Sequence, residues 1–166
     1  MEKNIIGSNV YVEVMGQRVP AKIDTGADSS AIWVSDVEVD KKGTLKFKLF
    51  GPKSEFYTGE TIETNDYKVV VTRSSHGEEK IFYRTHIMIR LGTRNINALM
   101  TLASREKNNF PILIGKRTLK NKYLVDVSQK AVSIKKNHNT HKLTEEMKQN
   151  PYEFHQKYFK NEGVAK

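Results

Sequence analysis

Val19-Pro20-Ala21-Lys22-Ile23-Asp24-Thr25-Gly26-Ala27-Asp28 decides how the rest of the chain is read. Val19, Ala21 and Ile23 alternate with Pro20 and Lys22, the period-two pattern of a half-buried strand, and that strand runs straight into Asp24-Thr25-Gly26-Ala27. A carboxylate therefore stands where a strand ends and a loop begins. Just upstream, Val10, Val12 and Val14 alternate in the same way, and Gly16-Gln17 supplies a turn, so the two segments read as a β-hairpin. By itself an Asp-Thr-Gly triplet often makes an ordinary Asx turn, and its weight comes from its context.

Working outward, Leu45, Phe47 and Leu49 alternate with Lys46 and Lys48, which predicts a strand with a basic outer face. Tyr67 to Val71 and then Ile81, Tyr83, Thr85, Ile87 and Ile89 predict a long hairpin with its tip at Ser74-Ser75-His76-Gly77. A strand around Ile96 to Leu102 follows, then a polar loop from Arg105 to Asn109, the apolar run Pro111-Ile112-Leu113-Ile114-Gly115, and a helical turn at Lys116 to Lys120. Tyr123 to Val127 and Ala131 to Ile134 read as closing strands. Many short strands with one short helix predict an all-β, closed or nearly closed barrel.

The 166 residues suffice for one modest core and a tail, here residues 1–135 and 136–166. In the tail Thr144 is a candidate helix N-cap, and Asn150-Pro151 with Glu153 has the pattern of a second helix start. Tyr152, Phe154, Tyr158 and Phe159 make that helix aromatic, which predicts docking on the barrel or on a second subunit. There is no cysteine, which excludes disulfides, thiolate nucleophiles and Cys-ligated zinc. No apolar run approaches membrane-spanning length, so no membrane partner and a cytoplasmic location are expected. The net charge of +9 favours anionic partners without choosing among them, and its dispersal along the chain reads first as a solvated basic surface; a polypeptide substrate, acidic in keeping with the charge, is expected, and nucleic acid is not.

A strand entering Asp-Thr-Gly-Ala, with a later apolar-apolar-Gly segment entering a helix, resembles the retropepsins. The closer resemblance is to a bacterial and archaeal family of retropepsin-like proteins named ATP-dependent zinc proteases, which often accompany ATP-grasp glutamate ligases. Lys22-Ile23-Asp24-Thr25-Gly26-Ala27 is similar to its K-x-D-T-G-A opening, and Val71 to Gly77, with Arg84 after it, resembles its V-x-S-S-x-G segment. Thr101 to Arg105 resembles its L-T-x-x-R. Phe110 to Leu119 and Tyr123 to Asp126 resemble its P-x-L-L-G-R-x-x-L and F-L-V-D. The likeness runs from about residue 10 to 128 and leaves the tail uncovered.

That resemblance implies a retropepsin-like (acid protease) closed barrel with one short helix, followed here by a helical tail. It also implies an aspartic-type peptidase with Asp24, Thr25 and Gly26 as its catalytic unit. Ala27 and Asp28 are then substrate contacts. Ser75, His76 and Gly77 belong to a tip that is either a substrate-covering flap or an ordinary surface hairpin. Where the family places Arg after its late Gly, this chain has Lys116, with Arg117 displaced by one. A Lys116–Asp28 pair is expected to take over the structural support there, without the bidentate fork of Arg.

Peptide hydrolysis by this chemistry needs one carboxylate as base and a second as acid, and the chain carries a single Asp-Thr-Gly. A homodimer with Asp24 opposed to its own image across a two-fold axis is therefore expected. No metal or nucleotide cofactor is expected. There is no G-x-x-x-x-G-K-[ST] and no H-E-x-x-H, and His138, His141 and His155 have no carboxylate at ligand spacing. A serine hydrolase built on Ser74, Ser75 and His76 lacks a G-x-S-x-G elbow. Two alternatives stay open: an idle dimeric module that binds an acidic partner or nucleic acid, and a metal-dependent hydrolase.

Overall fold

Alternation in the sequence becomes strand after strand in the computed structural model, which describes residues 3–74, 76–133 and 139–160. The chain divides into two compact units, residues 1–133 and 134–166. In the first, β2 (Asn9–Val14) and β3 (Gln17–Ile23) form the expected antiparallel hairpin. Its turn holds Met15 and Gly16 at φ of 48° and 75°, a left-handed pair whose second position glycine fills without strain. Val12, Val14, Val19, Ala21 and Ile23 are all buried, as the alternation requires.

β4 (Ser30–Val39), β8 (Glu79–Leu91), β9 (Arg94–Ala103) and β10 (Ile112–Ile114) complete a ring. Its order is β10, β3, β2, β8, β9, β4 and back to β10, so six strands close a barrel. Closure depends on β10, which lies parallel to β3 and antiparallel to β4 at once. β5 (Leu45–Leu49) and β6 (Thr61–Thr64) extend the sheet from β4, and β7 (Tyr67–Arg73) pairs with β8 as a long hairpin. Phe47, Phe50, Ile32, Met100, Ile112 and Ile114 are fully buried at the centre, each worth roughly 1.5–3 kcal/mol of burial. The inner half of β8 alternates into the core at Thr85, Ile87, Ile89 and Leu91, whereas Ile81, near the hairpin tip, is 71% exposed.

α1 (Lys116–Leu119) follows β10, and β11 (Tyr123–Val125) then pairs in parallel with β1 (Asn4–Ile6) in a separate two-stranded sheet. Tyr123 pins that sheet to the barrel by donating its hydroxyl to Leu91 O at 2.7 Å. The closing strands are shorter than the sequence predicts. β11 stops at Val125 because Asp126 folds back on Ser128 and Gln129. Residues 131–133 form no strand, since the buried Asn9 carboxamide takes the Ala131 and Val132 N–H groups at 2.9 and 2.7 Å, amides a ladder would have used. Ile134 lies outside the described residues.

In the second unit, α2 (Asn139–Gln149) and α3 (Pro151–Phe159) form a helical pair. Asn150 caps α3 through Oδ1, which accepts from Glu153 N, with Pro151 at the first helical position. Thr144 is not a cap. It sits inside α2 and its hydroxyl donates to Thr140 O, one turn back. Phe154 packs its ring against Tyr158, while Lys157 and the Tyr158 hydroxyl both bind Glu146 of α2. Among the described residues no helix is long and apolar enough to cross a membrane.

Candidate active site

The loop after β3 is fixed mostly by its own backbone. Asp24 N donates to Ile114 O at 2.9 Å, and the Asp24 carboxylate is returned to the loop, its Oδ1 accepting from Gly26 N at 3.0 Å and Ala27 N at 3.2 Å. Two amide donors on one oxygen hold the carboxylate in a single orientation at a half-buried position. Thr25 and Gly26 are exposed at the crown of the loop, and Ala27 and Asp28 lead away from it towards β4.

β10 and α1 buttress the loop from behind. Gly115 packs so tightly that a Cβ there would lie 2.4 Å from Ser29 O and 2.9 Å from Ala27 O. Only glycine fits that contact. Gly115 N donates to Ser30 Oγ, and Ser30 Oγ shares a buried 2.7 Å hydrogen bond with Thr118 Oγ1. The next two amides, Lys116 N and Arg117 N, donate to Ala27 O and Asp28 O at 2.8 and 3.1 Å. Two orphan amides of the first helical turn are thus satisfied by the Asp24 loop.

The substitution of Lys for Arg at position 116 resolves as a 2.9 Å ion pair between Lys116 Nζ and Asp28 Oδ1. Lys116, first by its hydrogen bond and then by its charge, holds the Asp28 carboxyl below its ordinary range, with a smaller contribution from Arg117. Behind the loop, Arg105 donates Nε to Phe110 O at 3.1 Å. Burial lowers the Arg105 pKa and the charge of Asp24 opposes that, so the two side chains lie within electrostatic reach. Arg84 of β8 donates to Ser29 Oγ and, at 3.4 Å, to Thr101 Oγ1.

A groove of about 440 Å³ runs beside the loop, with Ala27 to Ala31 on one wall and Val70 to Thr72 of β7 on the other. Arg84 and Arg117 also line it. Among the described strands β7 pairs only with β8, so its other edge is open. His76 and Gly77 stand exposed at the hairpin tip, which Ser74 closes by donating N to Glu78 O and accepting from Gly77 N. None of the described tip residues lines this groove, whereas Val70 to Thr72 of β7 do. Ser75 lies outside the described residues. A larger cavity of 680 Å³, under Trp33 and Phe82, shares no residue with the Asp24 loop.

Among the described residues no cluster of three or more His, Cys, Asp or Glu is placed to hold a metal ion. His141 lies in α2 and His155 in α3, and His138 is outside the described residues. The braces Ser30 and Thr118 are parts of the site that become visible only once the chain is folded.

A six-stranded closed barrel that presents one Asp-Thr-Gly-Ala loop against an apolar-Gly-helix segment defines a retropepsin-like protein. Residues 5–136 match the family described as retropepsin-like aspartic endopeptidase RimB, and the chain belongs to this RimB-like family. The fold is also similar to the crystal structure of a Legionella pneumophila protein of unknown function, with a TM-score of 0.62 and 20% identity over 77% of this chain and 96% of that one. A probable alpha-L-glutamate ligase of Shewanella pealeana is 29% identical over 133 residues. The aligned part is 76% of this chain and 29% of the ligase, so the chain spans under a third of that relative's length.

Proposed function

We propose that the chain is an aspartic endopeptidase whose working form is a homodimer, with the two Asp24 carboxylates facing each other across a two-fold axis. The observation that carries the proposal is the Asp24 loop itself: a carboxylate held by two backbone N–H groups, at the open end of a barrel strand, in a chain with one copy of the motif. Two like charges at close range resist joint ionisation, so the pair keeps one proton, the general behaviour of aspartic peptidases. The ionised Asp24 takes a proton from water as the water oxygen attacks the peptide carbonyl. The protonated Asp24 of the second copy gives its proton to the carbonyl oxygen. As the resulting gem-diol collapses, one of its hydroxyl protons returns to the second carboxylate, the C–N bond breaks, and the nitrogen leaves with the proton held by the first carboxyl. Thr25 and Gly26 hold the paired loops, and the Lys116–Asp28 ion pair supports them from the side.

The substrate in this reading is an extended polypeptide that lies along the groove and adds to the open edge of β7. Acidic or glutamate-tailed polypeptides suit the net charge of +9, and the likeness to a probable alpha-L-glutamate ligase points the same way. The experiment is cleavage of a peptide library by the wild type and by Asp24→Asn, over a range of enzyme concentrations, with and without chelator. Cleavage should fall by about 10²–10⁴-fold or more in the variant, persist in chelator, and rise more steeply than linearly with enzyme at high dilution. Cleavage that ignores Asp24, or that stops in chelator, would overturn the reading. Equal cleavage of neutral and Glu-rich peptides of matched length would remove the acidic-substrate part alone.

A further inference from the structure

We propose that Arg84 and Arg117 form a carboxylate-binding subsite in the groove beside the Asp24 loop and set the preference of the enzyme for an acidic group on its substrate. The proposal rests on the peptidase reading above and adds to it the residues that recognise the charge. Arg84 and Arg117 line the same groove as Val70 to Thr72 of β7. Arg84 is half-buried on a central barrel strand, and its hydrogen-bond partners Ser29 Oγ and Thr101 Oγ1 are neutral hydroxyls. Among the described residues neither arginine has a carboxylate within ion-pair distance, and the charge of Arg117 acts on Asp28 only as a smaller effect beside that of Lys116. Asp28, the acidic side chain in the groove wall, is already engaged by Lys116 Nζ at 2.9 Å.

A partly desolvated guanidinium without a counter-ion is unfavourable, and a second cation close by makes it more so. Burial lowers the Arg84 pKa, and the charge of Arg117 lowers it further. One arriving carboxylate relieves both penalties. The planar guanidinium fork matches the geometry of a carboxylate. An amide of the same shape, such as Gln, offers no charge and gains far less. Because the groove wall begins at Ala27, next in sequence to the Asp24-Thr25-Gly26 unit, the recognised group lies close to the scissile bond. Either a side-chain carboxylate or the free C-terminus of the peptide supplies the required chemistry.

The test uses the full chain carrying Asp24→Asn, so that binding is measured without turnover. Fluorescent peptides are matched in pairs, Glu against Gln at each position and free acid against amide at the C-terminus. The expected result is a preference of about tenfold or more for the carboxylate member of one pair type, which identifies the source of the group. Adding Arg117→Gln should cut that preference to within about twofold, Arg117→Lys should restore part of it, and Arg117→Glu should shift it towards a Lys-bearing peptide. Arg84→Gln should act like Arg117→Gln, and thermal unfolding of each variant checks that the barrel is intact. Because Arg117 is exposed, its variants decide the matter if Arg84→Gln fails to fold.

A preference that survives both Arg117→Gln and Arg117→Glu, or no preference at all, overturns the proposal. The same peptide pairs are then given to the active chain. Cleavage of both members at equal rates removes the subsite and leaves the peptidase. Arg117-dependent binding with no cleavage of either keeps the subsite and removes the peptidase.

Discussion

Ser30 and Thr118 form the smallest unit on which the Asp24 loop depends. Their hydroxyls meet at 2.7 Å in a buried position, and Ser30 Oγ also satisfies Gly115 N. Replacing Ser30 with Ala leaves a buried amide and a buried hydroxyl without their partner, which costs about 1–3 kcal/mol. The expected outcome is a clear fall in Tm, with loss of any Asp24-dependent cleavage, because the loop and the helix behind it separate together. Gly115→Ala should be at least as damaging, since the new methyl group meets the Ser29 carbonyl at 2.4 Å and the backbone contact has no flexible atom to yield. Thermal unfolding of the two variants beside the wild type checks both statements. A Gly115→Ala chain with unchanged Tm would mean that the loop and α1 are not held as described.

At the scale of elements, the strands that carry the site are legible in the amino-acid sequence. β2, β3 and β5 announce themselves by strict alternation, and β10 with α1 by an apolar run that ends in Gly and Lys. The Asp24-Thr25-Gly26-Ala27 loop is equally legible because its four residues are consecutive. Braces that join distant segments are not: Ser30 and Thr118 stand 88 residues apart, and nothing in the local pattern of either marks it as buried. The strand expected at Ala131 to Ile134 misleads for a related reason. Its alternation is real, but a carboxamide from the other end of the chain, Asn9, takes the amides. Asn9→Ala should therefore release the segment after β11 while leaving the barrel closed. In hydrogen exchange, the Val132 amide should lose its protection and the Ala131 amide, which also donates to Asn9 O at 3.3 Å, should lose part of its own, whereas those of β8 and β9 should keep theirs. Simultaneous loss in both places would show that this short tie holds the barrel shut.

For the whole molecule, charge is the feature that reaches beyond the contact surface. A net charge of +9 on a chain of this size attracts acidic polypeptides from a distance and is screened by salt. On the proposed function, raising salt from about 0.05 to about 0.5 M should raise KM for a Glu-rich peptide several-fold and leave its kcat nearly unchanged. A neutral peptide should show neither effect, and steady-state kinetics on the two substrates tests this. Equal salt response for both would assign the effect to the dimer rather than to substrate attraction.

The insertion of β10 between β3 and β4 also sets an order in time. Asp24 leaves the ribosome well before the groups that position its loop, Ile114 O, Gly115 N, Lys116 N and Arg117 N, which emerge some ninety residues later. Until then the carboxylate sits on a strand with one neighbour missing, and the ring of strands is open. Long-range closure of this kind is slow relative to local hairpin formation. A nascent or truncated chain that stops short of Ile112 therefore carries the whole Asp-Thr-Gly-Ala motif in an unassembled state, and on the proposed function its activity would begin only with completion of the barrel.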